Sequence, residues 1–161
     1  MEEALATIEQ LAPVRALKAS FYAYPLVNAL HIAAIGALWT SVALMDLRLL
    51  GALRGLPLPA FLAALRRVAL IAFAVVLTSG VALFSVRAGH YAGMAVFLAK
   101  MGLIVLAGLN LLVFDWLSRR SAAASRLAAS AVVSLLLWTA VLVCGRFIGF
   151  EIGRASCRER V

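Results

Sequence analysis

Twenty consecutive residues, Leu26 to Met45, contain no Lys, Arg, Asp or Glu. A hydrocarbon core of about 30 Å takes about 20 apolar residues at ~1.5 Å each to cross. The run therefore predicts a membrane-spanning helix. It is not a plain anchor, because Asn28 and His31 lie inside it and Asp46 closes it. Polar groups in hydrocarbon are expensive and turn toward protein. At ~100° per residue, Asn28, His31, Ile35, Trp39 and Asp46 fall on one broad stripe. Ala29, Ala33, Ala37 and Ser41 fall on another, and small residues four apart let helix backbones approach closely. The pattern predicts a helix with partners on two sides, at the centre of a bundle.

Three further runs follow. Val68–Val86 carries no charge and is broken only by Thr78, Ser79 and Gly80. Ser79 has no base near it in sequence, and hydroxyls in membrane helices bond their own backbone, so a catalytic role is not expected. Ala92–Phe114 is interrupted by Lys100 and Asn110 and closed by Asp115. Leu127 to about Phe150 contains Trp138, Cys144 and Arg146. The connection Arg87–Gly93 is short, so the second and third runs should be antiparallel neighbours. With 65% hydrophobic residues and a mean hydropathy of +1.05, this is a membrane composition. The fold expected is all-α, a four-helix transmembrane bundle with spans near 26–45, 68–86, 92–114 and 127–150, forming one domain over 21–150.

Residues 1–20 alternate Leu5, Ile8, Leu11 and Leu17 with Glu9, Arg15 and Lys18. This reads equally as an interfacial amphipathic helix or a frayed terminus. A cleaved signal peptide is not expected, because charged Asp46-Leu47-Arg48 follows the first run where a small-residue cleavage site would be needed. Residues 151–161, EIGRASCRERV, are charged and aperiodic. They resemble the in-frame translation of a short-read sequencing adapter, so the segment is set aside as an expected artefact at a lost natural end.

The net charge of +8 raises nucleic acid as a partner, but no basic stripe carries interleaved aromatics. The arginines instead lie between apolar runs, as topology signals do. Residues 46–67 and 115–126 hold seven Arg. Arg15, Lys18, Arg87 and Arg146 lie on the opposite side. The positive-inside bias predicts both of those loops in the cytoplasm and the termini outside.

Antiparallel helices place His31, Lys100 and Arg146 roughly 6–12 Å below the outer surface, with Asn28, His90 and Tyr91 at the rim. No Asp or Glu lies at that level. Such a cationic cluster suits an anion: a lipid phosphate, a haem propionate or a quinone oxygen. The plain alternative is that the cations snorkel to headgroups and His31 bonds a neighbouring helix. At the inner end, Asp46, Asn110 and Asp115 meet loop arginines, and ion pairs closing the helix ends explain them. A proton path would need deeper carboxylates. Bis-His haem ligation is disfavoured because His31 and His90 differ in depth, although Met94 or Met101 could complete a pair with either. No Cys/His pair has metal spacing, so metal content is left open. No phosphate loop, dinucleotide fingerprint or nucleophile elbow is present.

The segments YPLVNALHIAAIG, DLRLLG and TSG, then Tyr91 with FLAKMGLIVLAGLNLLVF, LLLW and GRFIGF, resemble a bacterial family of small four-helix inner-membrane proteins of unknown function. The resemblance covers roughly residues 15–150. It implies a four-helix inner-membrane protein and marks His31, Asp46, Lys100, Asn110 and Arg146. A distant likeness to copper-resistance membrane proteins and b-type cytochrome bundles implies haem b or copper. Family members carry a His where this chain has Asp115, which weakens a ligand role on that helix. The function expected is a non-enzymatic integral membrane protein in the lipid bilayer, with a membrane-protein partner or a second copy. A haem b or quinone-linked redox protein and a small ion or metal transporter are the alternatives.

Overall fold

In the computed structural model of the chain, residues 2–53, 55, 57–120 and 123–158 are described, and for 2, 58 and 151–158 only the backbone. Arg54 of the first connection and the last three residues of the charged tail lie outside the described residues. The fold is all-α. Its helices are α1 Glu2–Glu9, α2 Ala12–Ala19, α3 Ala23–Leu49, α4 Leu58–Val86, α5 Ala88–Ala92, α6 Ala95–Arg119 and α7 Ala124–Arg158. Four segments are long and apolar enough to cross a membrane: Ala23–Leu49, Pro59–Val86, Ala95–Arg119 and Ala124–Phe150. They make the chain a multi-pass integral membrane protein and supply the four helices that a bundle requires.

These helices outrun the apolar cores because backbone hydrogen bonding propagates into polar flanks once a helix exists. The third span starts later than expected. Residues 88–92 form their own helix, α5, so the connection is more than a turn. The N-terminal segment is two short helices, with Pro13 in the opening turn of α2. Proline fits there because that N–H has no helical acceptor. Ser20 Oγ accepts from the Ala23 amide at 3.1 Å and caps the start of α3.

The chain divides into two compact units, Met1–Ser41 with Arg66–Met94 and Val42–Leu65 with Ala95–Val161. In the first, Glu9 Oε1 accepts from the Gly89 amide at 3.0 Å, tying α1 to α5. Ala34, Leu38 and Ser41 of α3 are buried, as are Ala69, Ala72, Ser79, Leu83 and Val86 of α4. The small-residue stripe behaves differently from expectation, since Ala29, Ala33 and Ala37 are exposed. The buried positions instead continue the His31 line at helical spacing, because the histidine's bond to α4 turns that face inward.

In the second unit, α3 ends in a Schellman motif. The Ala52 amide bonds the Leu47 carbonyl at 2.9 Å and the Gly51 amide bonds Arg48 at 3.2 Å. Gly51 has φ 97°, a left-handed geometry that glycine adopts without Cβ strain. Helices α6 and α7 pack antiparallel: Asn110 meets Ser130, while Lys100 lies beside Gly145. Ala107 is 3% exposed and Ala131 1%.

Candidate functional site

His31 sits one-third along α3, where the helix places it opposite Ser79 of α4. Its Nδ1 lies 2.8 Å from Ser79 Oγ. Ser79 Oγ also donates to the Val75 carbonyl one turn back. A hydroxyl has one hydrogen, so with that hydrogen on Val75 the Nδ1–H donates to Ser79. The imidazole is then held as the Nδ1–H tautomer. Gly80 makes the space: a Cβ there would lie 3.1 Å from His31 Cε1.

The rim residues Asn28, His90 and Tyr91 differ in exposure. Asn28 and His90 are exposed. The His90 ring lies edge-on to Tyr91 with centroids 6.2 Å apart. Tyr91 is half-buried, tilted against Phe84 at 6.2 Å. Burial raises the Tyr91 phenol above its ordinary range, neighbouring Tyr24 raises it further by charge and by hydrogen bond, and Arg87 opposes them. Tyr91 therefore keeps its proton throughout the neutral range. Phe21 and Tyr22, at the entrance to α3, are 83% and 73% exposed. Amphipathic rings in that position suit the headgroup level of a bilayer.

In the second unit, Lys100 is half-buried along α7, its Nζ 3.5 Å from where a Cβ on Gly145 would sit. Gly145 thus clears the path of the lysine stem. The adjacent Arg146 is exposed, with its guanidinium 4.5 Å above the Phe150 ring. Both cations therefore reach the same stretch of α7, one along the helix and one outward over an aromatic face.

The inner-end trio divides. Asp115 pairs with Arg119 at 2.7 Å, an exposed bond within α6. Asn110 makes two bonds with Ser130: Nδ2 donates to the backbone carbonyl at 3.0 Å, and Oδ1 accepts from Oγ at 3.0 Å. Asp46 is buried, and its Oδ2 is enclosed with no hydrogen-bond partner. Ser130 and Ser134 were not singled out from sequence, although their four-residue spacing in an apolar run is a legible signal for one polar face. Gly80 and Gly145 were missed as side-chain cradles, because a glycine shows what it makes room for only when the neighbouring helix is placed.

Among the described residues, no group of three or more His, Cys, Asp or Glu side chains is arranged to hold a metal. Cys144 is a half-buried free thiol. Two embedded polar pairs tie helices together: His31 with Ser79 and Asn110 with Ser130. Comparison with protein-family models finds no match, and comparisons with curated proteins and with solved structures find none either.

Proposed function

We propose that this chain is a non-enzymatic multi-pass protein of the bacterial inner membrane, an accessory subunit that docks a partner through its apolar helix faces. The observation that carries this reading is the use of the embedded polar side chains as interhelical ties. Groups held in mutual hydrogen bonds rigidify a scaffold. Ile32, Leu70 and Ile71, each at least 60% exposed, are faces that lipid or a second membrane helix would cover.

Mild-detergent purification should yield a colourless protein that carries a membrane protein or a second copy with it in fixed ratio. A Soret band lost in His31→Ala would replace this reading with the haem b alternative. The arginine distribution supports cytoplasmic placement of the loops at 46–67 and 115–126. Reporter fusions in the 115–126 loop should be active only with a cytoplasmic reporter. Activity of a periplasmic reporter there would invert the topology.

A further inference from the structure

We propose that Lys100 and Arg146 bind the phosphate of one anionic phospholipid, at the end of the α6–α7 pair where α6 begins. This goes beyond the accessory role above and rests on different residues.

The two cations climb toward the same end of the helix pair. Asn110 meets Ser130, which sets the register of the antiparallel helices. Lys100, ten residues before Asn110, therefore starts level with Ala140, ten residues after Ser130. Its Nζ lies instead 3.5 Å from the Cβ position of Gly145. That is five residues further along α7, about 7.5 Å at helical rise. Helical side chains lean toward the N-terminus, and the N-terminus of α6 lies at this end. Arg146 rises too, its guanidinium 4.5 Å from the centre of the Phe150 ring one turn on. Long cationic side chains reach for the headgroup level in this way.

Neither cation meets a counter-charge among the described residues. Their one carboxylate on α6 and α7 is Asp115, at the opposite end of α6 and paired with Arg119. A cation away from water is stabilised by an anion beside it. Gly149, one turn beyond Gly145 on the same face, leaves room for one, since a Cβ there would meet nothing within 4 Å. Arginine meets phosphate through a planar fork and lysine as a point charge. The surrounding surface favours a lipid over a soluble anion. Leu142, Val143, Phe147 and Phe150 are each at least 39% exposed and present an apolar face beside the charges. A phosphodiester held by the two cations would lay an acyl chain on Leu142 and Val143, one turn toward the membrane centre.

Each cation near the phosphate should contribute about fivefold to lipid affinity. Purified full-length protein in mild detergent would be titrated with phosphatidylglycerol, with phosphatidylcholine of the same acyl chains, or with inorganic phosphate. Native mass spectrometry reads the dissociation constant of the first retained lipid. The wild type should bind the anionic lipid at least about tenfold tighter than the zwitterionic one. Lys100→Gln and Arg146→Gln should each lose about fivefold, toward the anionic lipid alone, and Arg146→Lys should keep most of the preference. Arg120→Gln, at the other end of α6, and Glu151→Gln, the carboxylate that follows Phe150 in sequence, should leave it unchanged. Should Lys100→Gln not fold, the two Arg146 variants decide. Equal wild-type affinity for both lipids, or a preference that survives in Arg146→Gln, overturns the proposal. So does a change in either control. Inorganic phosphate that displaces the lipid and depends on the same two cations would mark a soluble-anion site and overturns it as well.

Discussion

Gly80→Val is expected to destabilise the α3–α4 contact by about 2 kcal/mol, a sum of overpacking, a lost hydrogen bond and an offsetting helix-propensity gain. The Cβ alone would stand 3.1 Å from His31 Cε1 and 3.8 Å from Nδ1. The imidazole cannot swing aside freely, because its Nδ1 is anchored 2.8 Å from Ser79 Oγ on the residue before Gly80. The two methyls of valine must therefore displace either the ring or the helix. Gly80→Ala should be close to neutral, since replacing a helical glycine returns up to about 1 kcal/mol against one tight contact. Unfolding titrations in mixed detergent micelles measure both. The decisive comparison is the double variant. With His31→Ala in place, Gly80→Val should lose most of its penalty, a coupling of about 1 kcal/mol or more. A Gly80→Val protein as stable as wild type, or one that His31→Ala does not relieve, would show that the histidine does not occupy this space.

The second large effect lies in the other compact unit. Ala107→Leu should cost about 3 kcal/mol by overpacking α6 against α7 and pulling their hydrogen bonds apart. Ala107 is 3% exposed and lies three residues before Asn110, on the same face of α6. That face meets Ser130 through two bonds of 3.0 Å, so the helices are already at close range. A leucine adds three heavy atoms where a methyl now fits. The adjacent Gly108 provides the control, because a Cβ built there meets nothing within 4 Å. Gly108→Ala should be neutral or stabilising by up to about 1 kcal/mol. The contrast between neighbouring positions separates packing from propensity. If Ala107→Leu and Gly108→Ala behave alike in the same unfolding titration, α6 does not present this face to α7.

Much of the architecture was readable before any coordinates. Apolar runs of membrane length are close to decisive, because hydrocarbon leaves the backbone no partner but itself. The segments 26–45, 68–86, 92–114 and 127–150 each fall within or nearly within a helix. The helix ends were less legible. They depend on local devices such as Ser20 capping α3 and Gly51 at φ 97° closing it. The connection at 87–93 folded into a helix of its own, since Arg87–Tyr91 closes an α turn that a loop reading does not anticipate.

The polar residues were found more easily than their partners. His31, Asp46, Lys100 and Asn110 stand out because lipid-length helices carry few such groups. Depth counting suggested one cationic cluster at the outer level and one acidic end group at the inner. The His31–Ser79 contact follows the plain reading that His31 bonds a neighbouring helix, Asn110 ties to Ser130, and Asp115 pairs with Arg119 on its own helix. Counting residues from a helix end measures height but not azimuth, and a hydrogen bond needs both.

The amino-acid sequence alone settles that this chain crosses a membrane on four helices, because the transfer cost of backbone and charge in hydrocarbon depends on composition and length. It also marks which embedded groups must find relief. Which serine faces His31, and which oxygen of Asp46 is left enclosed, depends on the rotation of each helix about its axis. That rotation is set by contacts such as Gly80 under the imidazole, and only the tertiary structure reveals them.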